Sequence, residues 1–171
     1  ACVLAAILPT SSLEARLGSS VNARKDWDYC RWYVRASRSS FYIAFLSLPP
    51  ERRRALSAVY GYCRAVDDIA DTPGDPLEKK RLLDAWMDAV AHLNEREHGH
   101  PILRELVSAV AAYGISLDDL LDVCRGVAMD LDQNRYETFD ELKGYCYKVA
   151  SAVGLACLKV FGENSQAGVE Y

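Results

Sequence analysis

Residues 60–71 read Tyr60-Gly-Tyr-Cys-Arg64-Ala-Val-Asp67-Asp68-Ile-Ala-Asp71, and this stretch carries both a helix and a candidate site. Asp67 and Asp71 are four residues apart, so on a helix they lie one above the other. Tyr60 and Arg64 continue the same stripe, and the four side chains fall within an arc of about 60° at roughly 100° per residue. Tyr62, Ala65, Val66 and Ile69 make the other side apolar. Stacked like charges weaken a helix, and carboxylates at its C-terminus oppose the dipole. A divalent cation between Asp67 and Asp71 removes that penalty. One or two carboxylates with a substrate phosphate can complete the octahedron of Mg²⁺. The competing reading is a solvated amphipathic face. Against it, Leu56 and Cys63 flank the stripe where more polar residues would be expected.

Working outward, helical signals recur and no alternating strand pattern is bounded by turns. Asp26 to Ser47 reads as a first, aromatic-rich helix. Pro49-Pro50-Glu51 opens a second that runs through Asp71 and stops at Thr72-Pro73-Gly74. Asp75-Pro76 opens a third, with Leu82, Leu83, Trp86, Val90 and Leu93 on one face. Pro101 opens a fourth that ends at Gly114, and Ser116 caps a fifth reaching about Leu131. Thr138-Phe-Asp-Glu141 fits a capping box and starts a sixth, reaching Phe161. Helices joined by short loops predict an all-α bundle. The sixth is small or apolar nearly all round, which predicts a central position. Its Gly144, Ala150, Ser151, Gly154 and Ala156 either permit close helix contact or leave a channel.

The chain has 171 residues, enough for one domain with a real core, and a net charge of −4. Nothing suggests a nucleic-acid partner. Its 6 cysteines are widely spaced without a CxxC pair and read as reduced, mostly buried thiols of a cytoplasmic protein. His92, His98 and His100 fall in one polar stretch that reads as a solvated loop. Residues 1–24 read as a loose leader before a single all-α domain over 25–171. The apolar start, Ala1 to Leu8, is too short to span a bilayer and lacks the basic flank of a signal peptide.

Two more polar patches complete the pattern. Met129-Asp130-Leu131 and Arg135-Tyr136 lie at the end of the fifth helix; Ser37-Arg-Ser-Ser40-Phe41 lies inside the first. Serines within a helix need partners, in the backbone or, beside Arg38, in phosphate oxygens.

Together with Tyr29-Cys30, Leu48-Pro-Pro-Glu-Arg-Arg53 and Tyr145-Cys-Tyr-Lys-Val149-Ala-Ser-Ala-Val-Gly154, these stretches resemble the N-terminal part of the squalene/phytoene synthases, head-to-head prenyltransferases. The resemblance covers about residues 28–162. It implies an isoprenoid-synthase helical bundle around a central cavity, its C-terminal helices missing here. It implies two allylic diphosphates, Mg²⁺-assisted loss of diphosphate, and capture of the allylic cation by the second prenyl chain. Asp67 and Asp71 then bind Mg²⁺, and Arg64 binds diphosphate. Tyr60 and Tyr145 belong to the catalytic pocket. Ser37, Ser40, Phe41, Asp68 and Asp130 belong to the substrate site. Val149, Ala150, Val153, Gly154 and Cys157 line the prenyl tunnel.

Val149-Ala150-Ser151 resembles the bacterial presqualene diphosphate synthases of hopanoid pathways more than the Val-Ala-Gly of many carotenoid-making members. That favours farnesyl diphosphate over geranylgeranyl diphosphate and phytoene. The family's second aspartate-rich motif is expected after the sixth helix, so the chain reads as an N-terminal fragment without turnover by itself. NADPH enters only where the intermediate is reduced, and no G-x-G-x-x-G fingerprint is present. Lipid substrate and product are compatible with peripheral membrane contact. A reading from another class is a non-catalytic helical assembly factor of the same fold, against which intact Asp67, Asp71 and Arg64 argue.

Overall fold

The computed structural model describes residues 23–133 and 135–162. The leader expected over 1–24 lies outside them, except that Ala23 and Arg24 open the first helix. In order, the elements are α1 (Ala23–Ala36), α2 (Ser40–Leu46), α3 (Pro50–Asp71), α4 (Pro76–Ala91), α5 (Pro101–Tyr113), α6 (Leu117–Asp132), α7 (Phe139–Cys146), a π segment (Tyr147–Ser151) and α8 (Ala152–Phe161). No strand occurs among the described residues, so the protein is all-α.

Helix starts follow local chemistry. Proline occupies the first turn of α3, α4 and α5, where its missing N–H costs nothing. Asp75, Ser116 and Thr138 cap α4, α6 and α7 through their side chains, and Glu141 completes the capping box with Thr138. Gly114 closes α5 in the left-handed region at φ 63°.

α3 is the axis of the bundle. It packs most extensively on α5 and also touches α1, α2, α4, α6 and α8. Leu56, Val59, Tyr62 and Val66 are fully buried along it, against a core that includes Trp86, Leu106 and Leu120. Each such side chain contributes about 1.5–3 kcal/mol by leaving water. The Tyr62 hydroxyl satisfies itself by donating to the Leu120 carbonyl at 2.6 Å. Two bidentate ion pairs lock α5 to its neighbours. Arg104 holds Asp26 of α1 at 2.6 and 2.9 Å, and Arg54 of α3 holds Glu105 at 2.5 and 2.6 Å.

Three expectations are corrected. The helix read over Asp26–Ser47 is two helices. The chain leaves α1 after Ala36, Arg38 takes φ 54°, and Ser39 caps α2 by accepting from the Phe41 N–H at 3.2 Å. The serines are turn and cap residues because their hydroxyls offer the backbone local partners that compete with a helix. The histidine stretch is the interhelical loop its composition suggests, with His92 and residues 94–97 exposed, but it is not solvated throughout. His98 and His100 are buried, His98 Nε2 lies 3.0 Å from the Leu93 carbonyl, and His100 Nδ1 accepts from the Ile102 N–H at 3.2 Å.

The third correction concerns the stretch from α7 to α8. It is apolar nearly all round, yet only Ala152, Ala156 and Val160 are buried, and Phe139 stays 77 % exposed. It lies along one side of α3 and α6 and presents its other faces outward among the described residues. It also contains the π segment, whose wider turn the sequence pattern does not announce.

Candidate active site

The long axis of α3 brings the site together. Its C-terminal end carries Arg64, Asp67, Asp68 and Asp71, and the partner Arg64 finds is Asp68, which lies outside the stripe read from the spacing. Arg64 reaches Asp68 Oδ1 at 2.5 Å. Asp68 Oδ2 accepts the Tyr33 hydroxyl from α1 at 2.7 Å. Half-buried Asp67 takes up a proton more readily than an ordinary aspartate. Burial is the main cause; Arg64 opposes it, while the charges of Asp71, Asp68 and Asp130 add to it. Negative charge is thus concentrated where α3 ends, and the helix dipole adds to the penalty.

Asp130 enters this field from the last turn of α6. It also accepts the hydroxyl of Tyr145, whose pKa burial and that bond push up to about 12. Tyr145 stacks on Tyr136 with ring centroids 5.1 Å apart. The hydroxyl therefore stays protonated at neutral pH and acts as a donor.

Toward the middle of α3 the polar stripe gives way to an apolar cavity of about 450 Å³. Its wall is built by α2 (Phe41, Ala44, Phe45), the α2–α3 turn (Ser47, Leu48), α3 (Leu56, Val59, Tyr60, Cys63) and α8 (Val153, Cys157, Phe161). Tyr60 stands between the two regions. Its ring lies 5.9 Å from that of Phe41, and its hydroxyl is 3.1 Å from Ser37 Oγ. Ser37 in turn donates to the Val34 carbonyl at 2.7 Å. Burial raises the pKa of Cys63 and Cys157, so both behave as neutral apolar wall.

The residues singled out in the sequence thus divide. Arg64, Asp67, Asp68, Asp71, Asp130 and Tyr145 form the polar end. Phe41, Tyr60, Val153 and Cys157 line the cavity, and Ser37 braces Tyr60. Val149 faces Gly126 of α6 instead of this cavity. Ser40, Ala150 and Gly154 are exposed and off its wall. Sequence reasoning missed Tyr33, Phe45, Leu48 and Phe161. Tyr33 had a usable signal, since it stands one helical turn before Ser37.

Asp67 and Asp71 suit Mg²⁺ by donor chemistry: hard oxygen ligands in an excess of negative charge, few enough to leave sites for water and phosphate. Among the described residues no cluster of three or more His, Cys, Asp or Glu closes a metal cage.

The described residues thus form an all-α bundle in which α3 carries both a carboxylate-rich end and part of the wall of an apolar cavity. The squalene/phytoene synthase profile matches residues 34–170, and the chain belongs to that family. It is 36% identical over 132 residues to the presqualene diphosphate synthase of Sinorhizobium fredii, covering 77% of this chain and 47% of that one. It is 34% identical over 139 residues to the 15-cis-phytoene synthase of Synechococcus elongatus, covering 81% and 45%. Among solved structures, a squalene synthase from Alicyclobacillus acidocaldarius superposes with a TM-score of 0.78 at 26% identity, covering 89% of this chain and 57% of that one. A dehydrosqualene synthase gives 0.73 at 29% identity, covering 81% and 48%. The chain spans about a third to a half of the length of the curated relatives it matches.

Proposed function

We propose that the full-length protein is a Mg²⁺-dependent prenyltransferase that joins two farnesyl diphosphates head to head to presqualene diphosphate, with squalene as product where NADPH reduces the intermediate. The observation that carries this reading is that one helix, α3, ends in the carboxylates and, in the turns before them, supplies Leu56, Tyr60 and Cys63 to the cavity wall. A prenyl diphosphate has the same division, a charged head on an apolar chain.

In this reading Asp67 and Asp71 hold Mg²⁺, which neutralises the departing diphosphate. Arg64 binds the diphosphate oxygens. Tyr60, braced by Ser37, sets the boundary between head and chain, and Phe41, Val153 and Cys157 enclose the chain and exclude water from the allylic cation. Tyr145, whose hydroxyl donates to Asp130 and whose ring stacks on Tyr136, fixes both neighbours at the polar end.

The second reading is phytoene synthesis from two geranylgeranyl diphosphates, and relatives of both names support it. Assay of the full-length protein with each prenyl diphosphate and Mg²⁺ separates them. Presqualene diphosphate or squalene supports the first; a C40 product replaces it with the second. Peripheral contact with a lipid surface is part of the proposal, given apolar substrates; no helix among the described residues is long and apolar enough to cross a membrane.

A further inference from the structure

The three carboxylates that end α3 are not equivalent. Asp68 is engaged on both oxygens, by the Tyr33 hydroxyl at 2.7 Å and by Arg64 at 2.5 Å. Among the described residues no side-chain hydrogen bond or salt bridge occupies Asp67 or Asp71. We propose that Asp68 is a positioning residue, clamped by Tyr33, that aims the Arg64 guanidinium at the diphosphate and leaves the metal to Asp67 and Asp71. This rests on the reading of the stripe as a diphosphate site.

Arg64 and Asp68 form a half-exposed pair four residues apart. Such pairs are worth only about 0.3–0.5 kcal/mol, and the order with the cation N-terminal is the poorer one. Alone, the pair cannot hold a long, rotamer-rich arginine in one geometry. Tyr33 changes this. Its bond to Asp68 is charge-assisted and so about twice as strong as a neutral one. It also comes from a second helix, on a ring stacked against Tyr29 with centroids 6.1 Å apart. The rigid α1 ring fixes the Asp68 rotamer, and Asp68 fixes Arg64. Swinging Asp68 onto a metal would break both bonds. The guanidinium is therefore set before substrate arrives, which removes an ordering cost from binding.

The test uses full-length protein, inorganic pyrophosphate with Mg²⁺, and Mn²⁺ alone as a spectroscopic probe of the metal site. Tyr33→Phe keeps the ring and its stacking, so an unchanged thermal midpoint establishes the fold. Tyr33→Phe and Asp68→Asn are each expected to weaken pyrophosphate binding about tenfold, the effect of one lost hydrogen bond to a charged group. The double variant should lose no more than either single one, because both act through Arg64. Mn²⁺ affinity should stay within about twofold in Tyr33→Phe, fall only modestly in Asp68→Asn through the lost charge, and collapse in Asp67→Asn. A collapse of Mn²⁺ affinity in Asp68→Asn as large as that in Asp67→Asn, additive losses, or unchanged pyrophosphate binding overturns the proposal. If wild type binds neither probe, the diphosphate reading itself fails. The clamp is then judged by nuclear relaxation of the Arg64 Nε–H. Slow motion in wild type that becomes fast in Tyr33→Phe supports it, and equal motion in the two overturns it.

Discussion

Gly126 on α6 faces Val149 of the π segment so closely that a Cβ on the glycine would lie 2.7 Å from Val149 Cγ1, and 2.9 Å from the Lys148 Cβ. Real Cβ atoms do not tolerate such distances. The absent side chain is what lets the widened turn settle against α6, and thereby sets where α8 and its cavity residues begin.

Gly126→Ala is therefore expected to destabilise the fold, although alanine is the better helix former by about 1 kcal/mol. Overpacking of this kind costs about 1–3 kcal/mol. Denaturant unfolding should show a lower midpoint with an unchanged slope. A midpoint equal to wild type would mean that the π segment simply shifts aside.

His100 predicts a pH dependence. Its Nδ1 must be unprotonated to accept the Ile102 N–H, and burial lowers its pKa from 6.5 to about 4. A base whose folded pKa lies below the unfolded one binds fewer protons when folded. Stability is then complete above pH 6.5 and is lost as pH falls toward 4, by about 3 kcal/mol in all. Carboxylates titrate nearby, so the measurement is a difference. His100→Asn keeps a capping side chain, and its unfolding free energy should show a shallower slope between pH 6.5 and 4 than wild type. Parallel slopes would reject the assignment.

The metal prediction turns on charge crowding. Asp67, Asp68 and Asp71 end α3 where the dipole is already negative, so without a cation Asp67 works against folding. Asp67→Asn should leave the metal-free protein as stable as wild type or slightly more so. Wild type should gain stability with Mg²⁺ and pyrophosphate, by about 2.7 kcal/mol at a hundredfold excess over Kd. Asp67→Asn and the Asp67→Ala, Asp71→Ala pair should lose that gain in a thermal-shift titration. Equal shifts in wild type and variants would remove Asp67 from the metal site.

Much of this was legible in advance, for identifiable reasons. The stripe on α3 follows from a fixed helical period, and the proline and capping-box starts of α3, α4 and α7 are local chemistry written into adjacent residues. The break at Arg38 was not legible, because Phe41 and Phe45 resume in helical step with Val34 after four polar residues, while one left-handed residue redirects the chain. The buried histidines were hidden for a similar reason: polar composition suggests solvent, and only tertiary packing shows that His98 and His100 are satisfied inside. Tyr33 and Asp68 are 35 positions apart in the chain, so no local pattern pairs them. The outward faces of α7 and α8 reverse a periodicity argument that assumes every apolar face is covered by a described neighbour.

The cavity supplies the last prediction, on chain length. Val153, Cys157 and Phe161 form its α8 wall, and Tyr60 and Phe41 line it from α3 and α2. An apolar chain seated there must be matched in length by the wall, and each methylene gained or lost in such a pocket changes discrimination by about 1–3 kcal/mol. Cys157→Phe in the full-length protein shortens the space. It should lower kcat/KM for geranylgeranyl diphosphate at least about tenfold more than for farnesyl diphosphate. Cys157→Ala, which enlarges it, should narrow the gap between the two. Each variant needs its thermal midpoint measured beside its kinetics, since filling a packed wall costs about 1–3 kcal/mol by itself. A general loss of stability lowers both substrates alike, whereas a changed ratio reports the wall. A constant ratio in both folded variants would place the prenyl chain outside this cavity.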